Sequence, residues 1–597
     1  MAPEQARRAL VVYGSETGNA QDVAEELARL AVRLRFETEL AELDAVTLKQ
    51  LLQYTLVLIA ISTTGQGDLP PNSQTFWRAL RSARLRPGCL HHMRFASFGL
   101  GDSSYPKFNW AHRKLYNRLL QLGAEPVCDR GESDDQQPEG IDGAFVPWSV
   151  KLRHRLLQQY PLPEGLDPIP DDVLLDPNWV LDFADGTSHV PPPPHLLAIP
   201  NALTATITSN ERITPATHWQ DVRHVKLSTC PPANYVPGST LTIYPKNFAV
   251  DVDQFLRITG CMSMADRPLR FVPTNPPSTN TRPPLSPLQT LTLRTLLTNH
   301  LDILSIPRRS FFAHLAHFTN DSFQRDRLVE FTDPQYIDEL YDYTTRPRRS
   351  ILEVLQEFET VRIPWQRICS IIPMMRGRQF SIASASQGDG QVDLLIAIVK
   401  YKTVIKRIRQ GVCTRYIAAL EKGAQISVTV QKGGLGVTQQ HVQRPVVMVG
   451  PGTGVAPMRS LVYQRIMWRA QLGIAQAEND LLFFGCRNAD ADYFFKDEWA
   501  ALLQRNVPLE VYTAFSRDQR QKVYVQDLVR QQSAKVYDAL ANKNGIVYIC
   551  GSSGKMPQAV REALIEAFQQ HGDMQREAAE QYLVAMEKSG RYNQETW

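Results

Sequence analysis

Apolar and polar positions follow two grammars along this chain. Residues 9–13 (ALVVY) form an unbroken apolar run of strand length. It leads through Gly14-Ser15-Glu16-Thr17-Gly18-Asn19-Ala20 into a helical pattern with Val23, Leu27 and Leu30 on one face. The order repeats twice. Residues 56–61 run into Ser62-Thr63-Thr64-Gly65-Gln66-Gly67-Asp68, and residues 93–100, ending at Leu100, run into Gly101-Asp102-Ser103-Ser104-Tyr105. Strands apolar throughout and alternating with helices predict a parallel sheet covered on both faces over residues 1–160.

The pattern then changes. Prolines crowd residues 161–200 and end in the run 191–194, which predicts a semi-rigid, extended linker. Residues 202–213 and 222–227 read as antiparallel strands. Residues 250–372 read as mostly helical, with a Pro-rich interruption at 273–287. Strands resume at 392–401 and 426–431. A closing α/β stretch runs through 445–450, 480–486, 509–515 and 545–551. The predicted organisation is therefore 1–160, a linker 161–200, a β unit 201–440 with its helical insertion, and 441–597, with no internal repeat.

Composition narrows the function classes. Of 597 residues, 43% are hydrophobic and 21% charged, and the net charge is +4, so the chain has neither the profile of disorder nor the basic footprint of a nucleic-acid binder. Eight cysteines stand far apart without a C-x-x-C pair, which argues against a disulfide framework or a zinc site. No apolar run approaches the ~18 residues of a membrane span, and the first residues are short and polar. These features predict a cytoplasmic location without a membrane anchor and leave a mitochondrial one open.

Three constellations carry chemistry. The Gly, Ser and Thr loops after the first strands sit where open α/β sheets bind ligands, and a helix N-terminus behind such a loop favours a phosphate. The P-loop lysine is absent, which excludes an ATPase loop of that kind. A flat ring with one phosphate fits, with Tyr105 able to stack on it. Second, Arg378-Gln379-Phe380-Ser381 is followed beyond a strand by Gly411-Val412-Cys413-Thr414. Third, Gly450-Pro451-Gly452-Thr453-Gly454 follows an apolar strand as a dinucleotide-binding turn does. Ser516, Arg517, Lys522 and Tyr524 then supply the cations and hydroxyls that a 2′-phosphate needs, where an NAD site would carry a carboxylate.

These motifs together resemble the diflavin reductases, across the chain from Ala9 to Trp597. The resemblance implies a multidomain α/β and β protein: a flavodoxin-like doubly wound FMN domain, an FAD-binding antiparallel β-barrel with a helical insertion, and a Rossmann-like NADPH domain. By it, Ser15, Glu16, Thr17, Gly18, Asn19 and Ala20 hold the FMN phosphate. Ser62, Thr63, Thr64 and Gly65 border the flavin ring, together with Leu100, Gly101, Asp102, Ser103, Ser104, Tyr105, Pro106, Lys107, Phe108 and Asn109. Asp135 is an acidic FMN contact. FAD falls to Arg349, Arg378, Gln379, Phe380 and Ser381, with Gly411, Val412, Cys413 and Thr414 capping its diphosphate. Thr453, Ser516, Arg517, Lys522, Val523, Tyr524, Val525 and Gln526 hold NADPH in an S-R-x-x-x-x-K-x-Y-x-Q pattern. Ser381, Cys550 and Glu595 form the catalytic set around hydride transfer, and Trp597 covers the FAD ring. Two positions depart from the pattern: Thr64 stands where several relatives have a ring-stacking Tyr, and Phe380 where most have Tyr.

The resemblance further implies a monomer that carries electrons from NADPH through FAD and FMN to a partner. Its loop sequences, the segment 306–312 (IPRRSFF) and the Glu-Thr-Trp ending point to the branch that reduces the 2Fe–2S protein anamorsin in cytosolic iron–sulfur assembly. Residues 1–160 hold 19 Lys/Arg against 18 Asp/Glu, so no bulk acidic charge would steer a basic haem partner. A soluble haem-protein reductase and an interaction scaffold in stress or cell-death signalling with secondary redox activity stand as the alternatives.

Overall fold

The computed structural model describes residues 7–184, 196–274, 283–285, 291–433, 435–436, 438–474 and 476–596. The Pro run 191–194 and Trp597, both singled out in the sequence, lie outside them. The chain divides into two compact units. One comprises Met1–Pro191, Asn247–Arg376 and Thr403–Arg407; the other comprises Pro192–Lys246, Gly377–Lys402 and Ile408–Trp597.

The first unit opens with strands β1 (Arg8–Gly14), β2 (Glu37–Glu42), β3 (Leu56–Ser62), β4 (Arg94–Gly101), β5 (Glu125–Pro126) and β6 (Gly131–Asp134). They form a parallel sheet in the order β2-β1-β3-β4-β5, with β6 also on β4. Ala9 and Val11 face one core with helix α1 (Asn19–Arg33) and the helix Gly140–Gln159. Leu10 and Val12 face a second core with the helices Gln74–Leu80 and Trp110–Gln121. Burial on both faces is why these strands read as unbroken apolar runs. On α1 the buried stripe is Ala20, Val23, Ala24, Leu27 and Ala31. Leu30 packs at its edge only, because the alanines let the helix lie close to the sheet.

The remainder of this unit is helical, as the sequence pattern indicates, around a core that includes Phe255, Leu296, Phe312, Phe331 and Leu355. It also holds a three-stranded sheet of Trp179–Phe183, Pro268–Pro273 and Leu291–Thr292. The first of these strands comes from the Pro-rich stretch read as a linker. Upstream of it, the Arg33 guanidinium donates to the carbonyls of Asp171 (3.1 Å) and Val173 (3.0 Å). That stretch therefore packs against its unit over its first two-thirds. A five-residue strand between prolines has too short a period to stand out.

The second unit holds a six-stranded antiparallel sheet in the order Arg378–Ser381, Thr240–Ile243, Gln425–Gln431, Leu203–Arg212, Val222–Cys230, Gln391–Ala397. A bridge from Ile382 to Leu394 nearly closes it into a barrel. Beside it in the same unit runs a parallel sheet of Leu509–Phe515, Asp480–Cys486, Val446–Val449, Ile546–Gly551 and Tyr592–Thr596. The strands Thr240–Ile243, Arg378–Ser381 and Tyr592–Thr596 are additions to the sequence reading. Each is four or five residues long and gains its stability from pairing.

Candidate functional site

In the first unit the loops after β1, β3 and β4 are tied to one another. Ser15 N–H donates to Asn72 Oδ1 (2.9 Å) and Gly18 N–H to Ser15 Oγ (3.0 Å). Gly18, at φ +99°, begins α1, and no side chain caps that helix. A left-handed residue there suits glycine, and the uncapped first turn leaves N–H groups and the positive dipole end for an anion. Thr63 N–H donates to Leu100 O (3.0 Å), Asp135 N–H to Gly101 O (2.9 Å) and Ser103 N–H to Asp134 Oδ1 (2.9 Å). Thr64 bridges Asp68 across Gly65. Asn109 is buried at φ +54°, and its amide donates to Ser133 O (3.0 Å). Half-buried Tyr105 and Phe108 border these loops, with the Arg113 guanidinium 5.5 Å from the Phe108 ring. Burial, with Asp102 and Asp134 nearby, raises the Asp135 pKa. Arg349, also in this unit, pairs with Glu357 and lies 4.1 Å over the Tyr343 ring.

In the second unit the two barrel motifs meet. Arg378 is the register partner of Ile243, whose carbonyl lies 3.9 Å from the Cys413 sulfur. Burial pushes the Cys413 thiol up to about 12, and Arg378 opposes that rise. Gly411 begins the helix Val412–Ala418, and Thr414 Oγ1 accepts from Val399 N–H (3.0 Å). Phe380 packs at the edge of the barrel core, while Gln379 is exposed beside Thr240 (3.0 Å).

The parallel sheet of the same unit gathers the third constellation. Gly452 sits at φ +58°, and a side chain at Gly454 would collide with the Cys550 carbonyl, so the Thr453 turn lies directly against the Ile546–Gly551 strand. Cys550 pairs in register with Glu595. Burial raises the Cys550 thiol far above its usual range and takes the Glu595 carboxyl up to about 7. Ser516 Oγ donates to Cys486 O (3.2 Å) at the end of its strand. Arg517 and Lys522 are exposed without an ion-pair partner among the described residues, and Tyr524 is 44% exposed. Val523 and Gln526 are half-buried and Val525 is buried beside them.

Three family models match the chain: flavodoxin over residues 11–148, an FAD-binding domain over 198–416, and an oxidoreductase NAD-binding domain over 448–562. The chain is 50% identical to the NADPH-dependent diflavin oxidoreductase 1 of Emericella nidulans, across 99% of this chain and 97% of that protein. Proteins of the same name from Aspergillus fumigatus and Danio rerio are 48% and 38% identical. They align with 99% and 98% of this chain and with 98% and 99% of their own lengths. The chain belongs to the NADPH-dependent diflavin oxidoreductases.

An enzyme of this family uses FMN, FAD and NADPH, and the residues present suit all three. The uncapped start of α1 suits a phosphate, and Arg517 and Lys522, exposed and without an ion-pair partner among the described residues, suit a 2′-phosphate. Glu595 Oε2 and Thr596 Oγ1 are buried without a hydrogen-bond partner among the described residues, as polar atoms awaiting a ligand are. Several contributors escape sequence reasoning. Asn72 meets the first loop across 57 residues. Arg459 joins the Ala383 carbonyl (2.8 Å), Asp393 (3.1 Å) and Glu498 (2.7 Å), fixing the helix after the glycine turn to the barrel. Only separation in sequence hides them. Among the described residues no helix is long and apolar enough to cross a membrane.

Proposed function

We propose that this oxidoreductase carries electrons from NADPH through FAD and FMN to a 2Fe–2S protein of the anamorsin type in cytosolic iron–sulfur assembly. The bound flavins supply the conversion of a two-electron hydride into single electrons. The chain's part is placement. Residues 1–160 hold FMN, 201–440 hold FAD and 441–597 hold NADPH, with the 2′-phosphate on Ser516, Arg517, Lys522 and Tyr524. Arg378 and the 411–414 turn hold the FAD diphosphate. Ser381, Cys550 and Glu595 surround the reacting atoms. A neutral Glu595 can hold or give up a proton near pH 7.

The observation that carries the choice of acceptor is the rim of the FMN loops. Trp110 is 44% exposed, with the Lys107 and Lys114 ammonium groups 5.8 and 5.6 Å from its ring. Two ammonium groups beside an exposed ring offer a local contact for an acidic iron–sulfur protein, while Asp102, Asp134 and Asp135 stand on the neighbouring loops. The test is anaerobic reduction of a 2Fe–2S anamorsin-type protein by NADPH with catalytic amounts of the chain, run beside a basic cytochrome. Fast multiple turnover of the cluster, with slower haem reduction, supports the reading. Reduction of the haem alone overturns the acceptor assignment.

A further inference from the structure

The segment 306–312 stands out in the sequence, yet the reading above gives it no task. In the structure it meets the first loop of the FMN region within one compact unit. Arg308 Nη1 donates to Gly18 O (3.2 Å) and Nη2 to Asn19 Oδ1 (2.8 Å). Arg376 Nη1 donates to Glu16 O (3.4 Å), and its other terminal nitrogen donates to Gln21 Oε1. Both guanidinium groups crowd Gly18, where a Cβ would lie 2.9 Å from Arg376 Nε and 3.5 Å from Arg308 Nη2. Beside them, Ser310 Oγ donates to Asp22 (2.9 Å), and Arg309 pairs with Glu26 and Asp142.

We propose that Arg308 and Arg376 are positioning residues for the FMN phosphate, supplied by the helical segment, so that FMN is held more tightly while that segment is seated on α1. The proposal rests on the reading that residues 15–20 hold that phosphate. The peptide unit explains how the grip works. The Glu16 carbonyl shares a rigid plane with Thr17 N–H, and the Gly18 carbonyl shares one with Asn19 N–H, each pair pointing in opposite directions. A guanidinium bonded to the carbonyl therefore helps hold the N–H toward the opposite side, where a phosphate can accept it; at Gly18 it adds to the helix bond from Asp22 N–H to the same carbonyl (3.1 Å). Residues 15–20 contain no Lys or Arg and one Glu, so the nearby positive charge for a dianion comes from elsewhere. Arg308, which also pairs with Asp22 (3.5 Å), and Arg376 bring it from 290 and 360 residues away.

The test uses the full chain, freed of FMN but retaining FAD, titrated with FMN and with riboflavin, which has the ring without the phosphate. Arg308→Ala and Arg376→Ala should each weaken FMN about tenfold and the double variant about 100-fold, leaving riboflavin within about twofold. Arg308→Lys should recover part of the loss, and added salt should weaken FMN more in the parent chain than in the double variant. Equal loss of FMN and riboflavin, or no loss of either, overturns the proposal. Thr17→Glu separates it from the reading beneath. If Thr17→Glu weakens FMN selectively but the arginine variants do not, the loop reading stands and the proposal falls. If Thr17→Glu is not selective, the loop reading falls and the proposal with it.

Discussion

The described residues contain two parallel sheets, each with glycine-bearing turns at strand ends, and they differ in where the cations come from. In the NADPH-side sheet, Arg517 and Lys522 follow within seven residues of the strand end at Phe515. In the flavodoxin-like sheet, the loop at residues 15–20 has no cation of its own, and Arg308 and Arg376 reach it from distant sequence. A site whose charges are local needs only its own strand and turn. A site whose charges are borrowed depends on the packing of a second element, and its affinity can change with that packing.

The comparison can be broken first at its most buried point. Asp480 is shared by Arg465 (2.8 Å), which is fully buried, and Arg469 (3.0 Å). Asp480→Ala strands both charges and should cost roughly 3–5 kcal/mol in urea unfolding of the NADPH-side unit. A loss below about 1 kcal/mol would show that water reaches the arginines. Next, Arg517→Ala combined with Lys522→Ala should raise the KM for NADPH about 100-fold while leaving NADH nearly unchanged. Equal losses for both would remove the local half of the comparison. Gly18→Ala forces a side chain into a left-handed turn at φ +99° against Arg376. It should lower FMN affinity about tenfold, read by fluorescence titration.

The smallest effect concerns pH. The Glu595 carboxyl is raised by burial to about 7, above the roughly 4.3 of an unfolded chain. Its protonated form thus favours the folded state, a contribution complete below about pH 4 and lost as pH rises through about 7. Hydride transfer from NADPH should show an inflection near pH 7 that Glu595→Gln flattens, measured by stopped-flow across pH. An inflection that survives in Glu595→Gln would assign it to another group.

Legibility in the sequence follows the same division. The strand–loop–helix order of residues 9–33 and the glycine turn after Val446–Val449 could be read directly, because apolar period and turn residues are local signals. So could the pairing of the 378–381 and 411–414 motifs, once recognised as a family pattern. The strand Trp179–Phe183 was hidden among prolines, since its partner Pro268–Pro273 lies far along the chain. Asn72, Arg376 and Arg459 escaped for the same reason, as did the contact of Arg308 within the 306–312 segment: each meets its loop or strand only after the chain has folded back.

The most direct measurement takes the full chain holding FAD but stripped of FMN and follows NADPH-driven reduction under anaerobic conditions. The account predicts that NADPH still reduces a small artificial acceptor, that the 2Fe–2S protein is not reduced, and that adding FMN restores cluster reduction. Undiminished reduction of the cluster without FMN would contradict the electron path from NADPH through FAD and FMN to the acceptor.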